Sequence, residues 1–228
     1  MLFTADSVFD GKAFLTGVTV EIKDGRIFAI HPEVLAGAEK LEGTLTAGFI
    51  DYHVNGGGGK LFNFEPSLDT LKTMVKAHAQ FGSTALLPTL ITDSLNVMQQ
   101  AAEAVAEAIA VNTSGVLGIH FEGPHLSVPK KGVHEASLVR AIGDEERQLF
   151  ARQDLGIKLI TLAPENVSES DLTALRDAKV KVSIGHSNAS FEQATRAVAL
   201  GADGFTHLFN AMSPFTSREP GVLGAALA

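Results

Sequence analysis

Apolar and polar positions along this chain recur with two different periods. Before about residue 46 the period is two. Val18-Thr19-Val20-Glu21-Ile22 and Arg26-Ile27-Phe28-Ala29-Ile30 flank Lys23-Asp24-Gly25. Asp-Gly between two alternating runs predicts a β-hairpin, part of a small β-domain that is too small to be stable alone. From Thr46 onward, short apolar runs alternate with stretches of helical spacing. Strands are expected at 48–54, 84–89, 115–121, 158–162, 180–184 and 204–208. Between them, Leu68, Leu71, Met74 and Val75 predict a helix over 67–81 that ends at Gly82. Further helices are expected at 94–110, 145–152, 168–178 and 191–200.

Repeated strand–helix units with apolar strands imply an α/β fold, a parallel sheet covered by helices. The residues able to do chemistry cluster where strands end, which favours a (β/α)8 TIM-like barrel over an open doubly wound sheet. About six strands are counted, not eight, and such a barrel has open edges. The expected division is therefore 1–46, a partial β-domain, and 47–228, an incomplete barrel. Gly56-Gly57-Gly58-Gly59-Lys60 lacks the spacing of a phosphate loop and is expected to be a flexible loop at the barrel mouth. The last run, Gly221 to Ala228, resembles neither a capping helix nor a polar tail, so the chain is read as part of a longer protein.

Composition narrows the function more than the fold. A net charge of −8 argues against a general binder of nucleic acid or anionic membrane, although a locally positive pocket could still take a small anion. Cysteine is absent, so any metal must be held by nitrogen and oxygen. Met1 to Asp6 shows no signal-peptide pattern, and no apolar run approaches the ~18 residues of a membrane span, so a cytoplasmic enzyme is expected.

Three clusters carry the candidate chemistry: His120-Phe121-Glu122-Gly123-Pro124, Gly185-His186-Ser187-Asn188 and Thr206-His207-Leu208-Phe209-Asn210. Singly, Glu122 reads as a solvated turn residue, and His186 and His207 as hydrogen-bonded histidines. Together they sit at the same end of successive strands, where a barrel makes side chains converge. One carboxylate and two imidazoles form the ligand set of a catalytic divalent metal with a position left for water or substrate. His53 and Asn55, at i and i+2, point to one face of a strand. They could serve a second metal or a substrate, or His53 could simply bond the Gly-rich turn. His134, after Lys130-Lys131, and Arg218 lie in loops that follow barrel strands. Arg218 suits a phosphate or carboxylate; its ordinary alternative is an ion pair with Glu219. His31 and His78 are expected to be surface or packing residues, and His120 and His125 to be hydrogen-bonded histidines rather than ligands.

At these residues the chain resembles the N-acetylglucosamine-6-phosphate deacetylase family of the amidohydrolase superfamily. The resemblance is carried by Pro88-Thr89-Leu90-Ile91-Thr92, the Glu122 cluster, Lys130-Lys131-Gly132-Val133-His134, Leu162-Ala163-Pro164-Glu165, the His186 and His207 clusters and Arg218-Glu219-Pro220-Gly221. It implies a metal-dependent hydrolase that removes acetate from N-acetylglucosamine 6-phosphate in amino-sugar catabolism. By position it implies Glu122, His186 and His207 as ligands of one divalent ion, zinc first, with iron, cobalt or manganese also suited. It further implies Val133, His134, Asn210, Ala211 and Arg218 as substrate contacts, and a small sandwich for the amino-terminal β-domain. A homodimer is implied, as is a general-base Asp on an eighth strand beyond residue 228. His53-Val54-Asn55 departs from the His-x-His of many amidohydrolases, which leaves a second metal open. Competing expectations are another amide hydrolase of the superfamily, or a chain inactive by itself.

Overall fold

Asp24 and Gly25 both take left-handed backbone angles (φ 50° and 71°) and join two antiparallel strands, the geometry expected of a two-residue hairpin turn. In the computed structural model, which describes residues 1–228, this hairpin joins β3 (Thr19–Lys23) to β4 (Arg26–His31). Three further strands complete the first sheet: β1 (Leu2–Phe9), β2 (Phe14–Leu15) and β5 (Glu39–Leu45). One end of β1 pairs antiparallel with β3 and the other end with β2, while β5 runs parallel to it. The buried core of this sheet is only Ala5, Val8, Val18 and Val20, with Leu15, Ile22, Leu41 and Leu45 packed against them.

The chain divides into two compact units, Met1–Phe49 and Ile50–Ala228. The second is built on β6 (Phe49–Val54), β9 (Ser83–Ile91), β10 (Gly118–Glu122), β11 (Ile157–Leu162), β12 (Val180–Ile184) and β13 (Gly204–Phe205), with a two-stranded ribbon of β7 (Gly56–Gly57) and β8 (Lys60–Leu61). Helices α1 (Leu68–Ala79), α2 (Leu95–Ala110), α3 (Asp144–Ala151), α4 (Glu169–Asp177) and α5 (Phe191–Ala199) alternate with the strands, and α6 (Gly221–Leu227) closes the chain. The six strands lie side by side in chain order, and β9 through β13 pair in parallel. A doubly wound sheet reverses its order partway, whereas a barrel does not. This is the incomplete (β/α)8 architecture expected.

Local chemistry explains the boundaries. Ser67, Ser94, Ser168 and Ser190 each cap a helix by accepting a backbone N–H in its first turn, and Gln193 reaches back to complete a capping box at α5. The apolar faces of the helices meet the outward faces of the strands in one core that includes Leu71, Met74, Met98, Phe121, Phe150 and Ile160. No helix is long and apolar enough to cross a membrane.

Three expectations need correction. The Gly56–Lys60 segment forms the β7–β8 ribbon, because Gly58 and Gly59 supply a positive-φ turn (61° and 85°) and His78 bonds the Gly56 carbonyl at 2.9 Å. Residues 221–227 form a helix, which Ser213 starts by accepting the Val222 N–H at 2.7 Å while Val222 is fully buried. The sixth strand stops at Phe205, so His207 stands beyond it at φ 57°.

Candidate metal centre

Side chains alternate along a strand, so on β10 the residues His120 and Glu122 share one face. Both are buried, at 1% and 3% exposure. Register places Thr161 of β11 beside Glu122, and Glu122 ends its strand. Four histidines surround its carboxylate. His186 Nε2 and His207 Nε2 lie 3.1 and 3.0 Å from Oε1, and His53 Nε2 and His134 Nε2 lie 3.2 and 3.8 Å from Oε2. Ligand atoms in His53–Glu122–His207, and again in Glu122–His134–His186, all fall within 4.8 Å of one another. The three residues expected to share an ion meet at one carboxylate oxygen, with His53 and His134 on the other, but neither of those two groups holds all three: His207 falls with His53 and His186 with His134.

The loops that deliver these groups are held firmly. His186 and His207 both sit at positive φ (48° and 57°), a left-handed conformation uncommon for residues other than glycine and one that histidine enters more readily than most. At Gly185 a Cβ would come within 2.7 Å of Thr206 Cβ and 2.8 Å of Thr161 Cγ2, so only glycine lets the strand end pass there. Glu165 then clamps the turn, accepting from Ser187 Oγ at 2.7 Å and from the Asn188 N–H at 2.6 Å.

Hydrogen bonds on the far ring nitrogens assign different tasks to two of the histidines. His186 Nδ1 lies 2.9 Å from the Lys130 carbonyl, an acceptor, so Nδ1 carries hydrogen; Nε2 donates to Glu122 Oε1 in the protonated ring and would be free for a metal on losing that proton. His134 is the reverse. Its Nδ1 accepts the Thr92 N–H at 3.2 Å and lies 2.8 Å from the Thr92 hydroxyl, so in the neutral ring Nε2 carries hydrogen and faces the cavity as a donor. Burial alone would raise the Glu122 pKa, but hydrogen bonds from His186 and His53 and the charges of His53 and His134 hold it well below the usual carboxylate range. Burial pushes His134 down to about 4. For His186, burial is outweighed by its bonds to Glu122 and the Lys130 carbonyl, so its pKa is raised.

A cavity of about 340 Å³ opens over this cluster, and Asn55, Asn63, Leu61, Phe64 and Val133 complete its wall. Asn55 Nδ2 is enclosed and has no hydrogen-bond partner, which leaves a donor for a guest molecule. Leu61, Phe64 and Val133 are exposed apolar lips (47, 85 and 88%). Of the sequence-derived site residues, His53, Asn55, Glu122, Val133, His134, His186 and His207 line this one cavity, while Asn210, Ala211 and Arg218 do not. Asn210 and Arg218 are exposed in the loop after β13, and Glu219 accepts the N–H groups of Phe191 and Gly221.

From sequence alone His120 reads as a hydrogen-bonded histidine rather than a ligand, and the structure gives it such bonds. The structure surrounds it with hydroxyls of Thr89 and Thr161 and sets its ring edge-on to His53 at 4.7 Å between centroids. The signal was present: two residues before Glu122 on the same strand means the same face. Glu165 was read as part of a motif without a role, and nothing local to it indicates that it reaches the turn after β12.

A buried carboxylate ringed by histidines at the carboxyl ends of barrel strands is the hallmark of a metal-dependent hydrolase site. Residues 44–226 match the model of the Amidohydrolase family, and the chain belongs to that family. It is 52% identical over 216 residues to N-acetylgalactosamine-6-phosphate deacetylase of Shewanella sp. (strain ANA-3), covering 92% of this chain and 55% of that one. To N-acetylglucosamine-6-phosphate deacetylase of Haemophilus influenzae it is 41% identical over 184 residues, covering 80% and 48%. The crystal structure of N-acetylglucosamine-6-phosphate deacetylase from Pasteurella multocida superposes with a TM-score of 0.93 at 37% identity, over 100% of this chain and 62% of that one. The chain thus spans about half the length of the curated relatives it matches.

Proposed function

We propose that this chain carries the metal site of a deacetylase that releases acetate from an N-acetylhexosamine 6-phosphate, N-acetylglucosamine 6-phosphate in the first instance. The observation that carries the reading is the meeting of His186 Nε2 and His207 Nε2 at Glu122 Oε1, on the wall of a cavity that Asn55 and His134 also line. Glu122, His186 and His207 hold one divalent ion. The donor set of one carboxylate and two imidazoles suits zinc first and also iron, cobalt or manganese. When bound, such an ion polarises an amide carbonyl and makes water nucleophilic near neutral pH. His53, facing Glu122 Oε2 at 3.2 Å, is the candidate ligand of a second ion, and Asn55 stands beside it in the cavity wall.

The remaining residues bind and orient. His134 offers Nε2–H, and Asn55 offers Nδ2–H, to hydroxyl or carbonyl oxygens of the sugar. Val133, Leu61 and Phe64 present apolar surface that shields the reacting amide from bulk water. Asn210, Ala211 and Arg218 approach the substrate from the loop after β13, with the Arg218 fork on the phosphate. The reading includes a homodimer acting in the cytoplasm on this soluble metabolite.

The relative named for the galactosamine substrate favours a second reading, in which the sugar is the 4-epimer. Both are tested in the protein that carries this chain by measuring acetate released from each sugar phosphate and from the unphosphorylated sugars. Chelator-sensitive release from a phosphorylated N-acetylhexosamine is expected. Release that ignores the phosphate favours another amide hydrolase of the superfamily. No release with zinc, iron, cobalt or manganese overturns the proposal.

A further inference from the structure

Below the candidate metal centre, five of the six barrel strands, and Thr206 just past the end of the sixth, each contribute one polar group to a continuous hydrogen-bonded layer. His120 Nδ1 lies 3.1 Å from the Tyr52 carbonyl and 3.2 Å from Thr89 Oγ1. His120 Nε2 lies 2.8 Å from Thr161 Oγ1, which lies 2.8 Å from Thr206 Oγ1, which lies 2.7 Å from Ser183 Oγ. Thr89, His120 and Thr161 are at most 1% exposed, so each of their polar atoms needs a partner inside the protein.

The chemistry of the groups fixes the direction of every bond. A carbonyl can only accept, so Nδ1 of His120 must carry the hydrogen. Nε2 of the neutral ring is then an acceptor, and the Thr161 hydroxyl donates to it. Having spent its one hydrogen, Thr161 accepts from Thr206, which in turn accepts from Ser183. The chain ends on the residue before His53. One residue further, the Val54 N–H donates to Thr89 Oγ1 at 2.9 Å. The backbone on both sides of His53 is thus anchored to side chains in this layer, and the His120 ring stands edge-on against the His53 ring.

We propose that His120, held as the Nδ1–H tautomer by Thr161, is a positioning residue that sets the His53 ring so that Nε2 faces Glu122 Oε2. The proposal deepens the metal reading and rests on it only for the binding readout, since the tautomer and anchoring stand on the metal-free structure. Removing a group that orients a metal ligand typically weakens binding about 10- to 100-fold.

The first test is long-range ¹H–¹⁵N correlation on the histidine-labelled chain without metal. Protonated Nδ1 and bare Nε2 at His120 are expected, and the opposite tautomer overturns the proposal. The second is cobalt titration of the chain and of His120→Phe and His120→Asn, read by the visible absorption of the bound ion. Phenylalanine removes both bonds. Asparagine restores a donor at the Nδ1 position toward the Tyr52 carbonyl. Cobalt at the His53 position is expected to bind about tenfold or more weakly in His120→Phe, with an altered spectrum, and to recover largely in His120→Asn. Equal affinity and spectrum in all three overturn the proposal even if the tautomer is as expected. If the unaltered chain binds no cobalt, the metal reading falls, and the tautomer alone decides this one.

Discussion

The barrel unit holds two cavities of nearly equal size, one ringed by histidines and the other lined mostly by apolar side chains. One, about 340 Å³, gathers His53, Glu122, His134, His186 and His207; the other, about 350 Å³, is lined mainly by Ile50, Tyr52, Leu87, Leu117, Leu159 and Val182. Tyr52 and His53 are neighbours on β6, and β6 and β9 each contribute to both cavities. What separates chemistry from the apolar lining here is position along the strands: residues at or just past the carboxyl ends become ligands and donors, and residues nearer the amino ends, such as Leu87 and Leu159, become apolar lining. Volume distinguishes nothing; only the polar groups and their enforced directions do.

The contrast predicts that substitutions in the two cavities fail in different currencies. Glu122→Gln keeps the shape but removes the charge that all four histidines face. Metal affinity is expected to fall by more than the ~100-fold seen when only a supporting partner is lost, and titration with cobalt or zinc measures it. Leu87→Ala, in the other cavity, should leave metal affinity within about twofold while costing about 2–5 kcal/mol of stability in denaturant unfolding. Substitutions that produced the same defect at both ends would remove the distinction.

Acid should act on the polar end first. Burial pushes His120 down to about 3, with the charge of His53 adding to it, and His134 down to about 4, against an ordinary value of 6.5. For a histidine with a lowered pKa the unfolded chain binds the proton more readily, so stability falls as pH drops below 6.5 and keeps falling toward the folded-state values. Each ring adds up to about 1.4 kcal/mol per pH unit in that window, and the slope should shrink in His134→Gln. A metal-free chain whose unfolding midpoint is flat from pH 6.5 to 4 would contradict this account of the two rings. Smallest in its effect on the fold is Arg218→Ala. This exposed side chain should change neither stability nor metal content, yet raise KM for a phosphorylated sugar about tenfold or more. An unchanged KM would detach the phosphate from the site.

How much of this was legible depends on whether the controlling interaction is local. Strand and helix positions followed from apolar spacing, and the caps the structure shows at Ser67, Ser94 and Ser190 are equally local, set within four residues. Glu122, His186 and His207 were legible because each follows a strand and all strands point the same way. The sixth strand was read too long because Gly204 to Leu208 is apolar enough to continue, while the positive φ at His207 is imposed by packing from other segments. The tetraglycine was read as mobile because its ribbon depends on His78, which lies about twenty residues away in the chain. The task of Glu165 and the direction of the His120 bonds were illegible for the same reason: their partners come from other strands.

Crystals of the chain grown with cobalt, with the ion located by its anomalous scattering, test the central claim most directly. A peak within about 2.0–2.2 Å of a Glu122 carboxylate oxygen and of Nε2 on both His186 and His207 is predicted. A peak that omits Glu122, or one bound through His134 in place of His207, would contradict it.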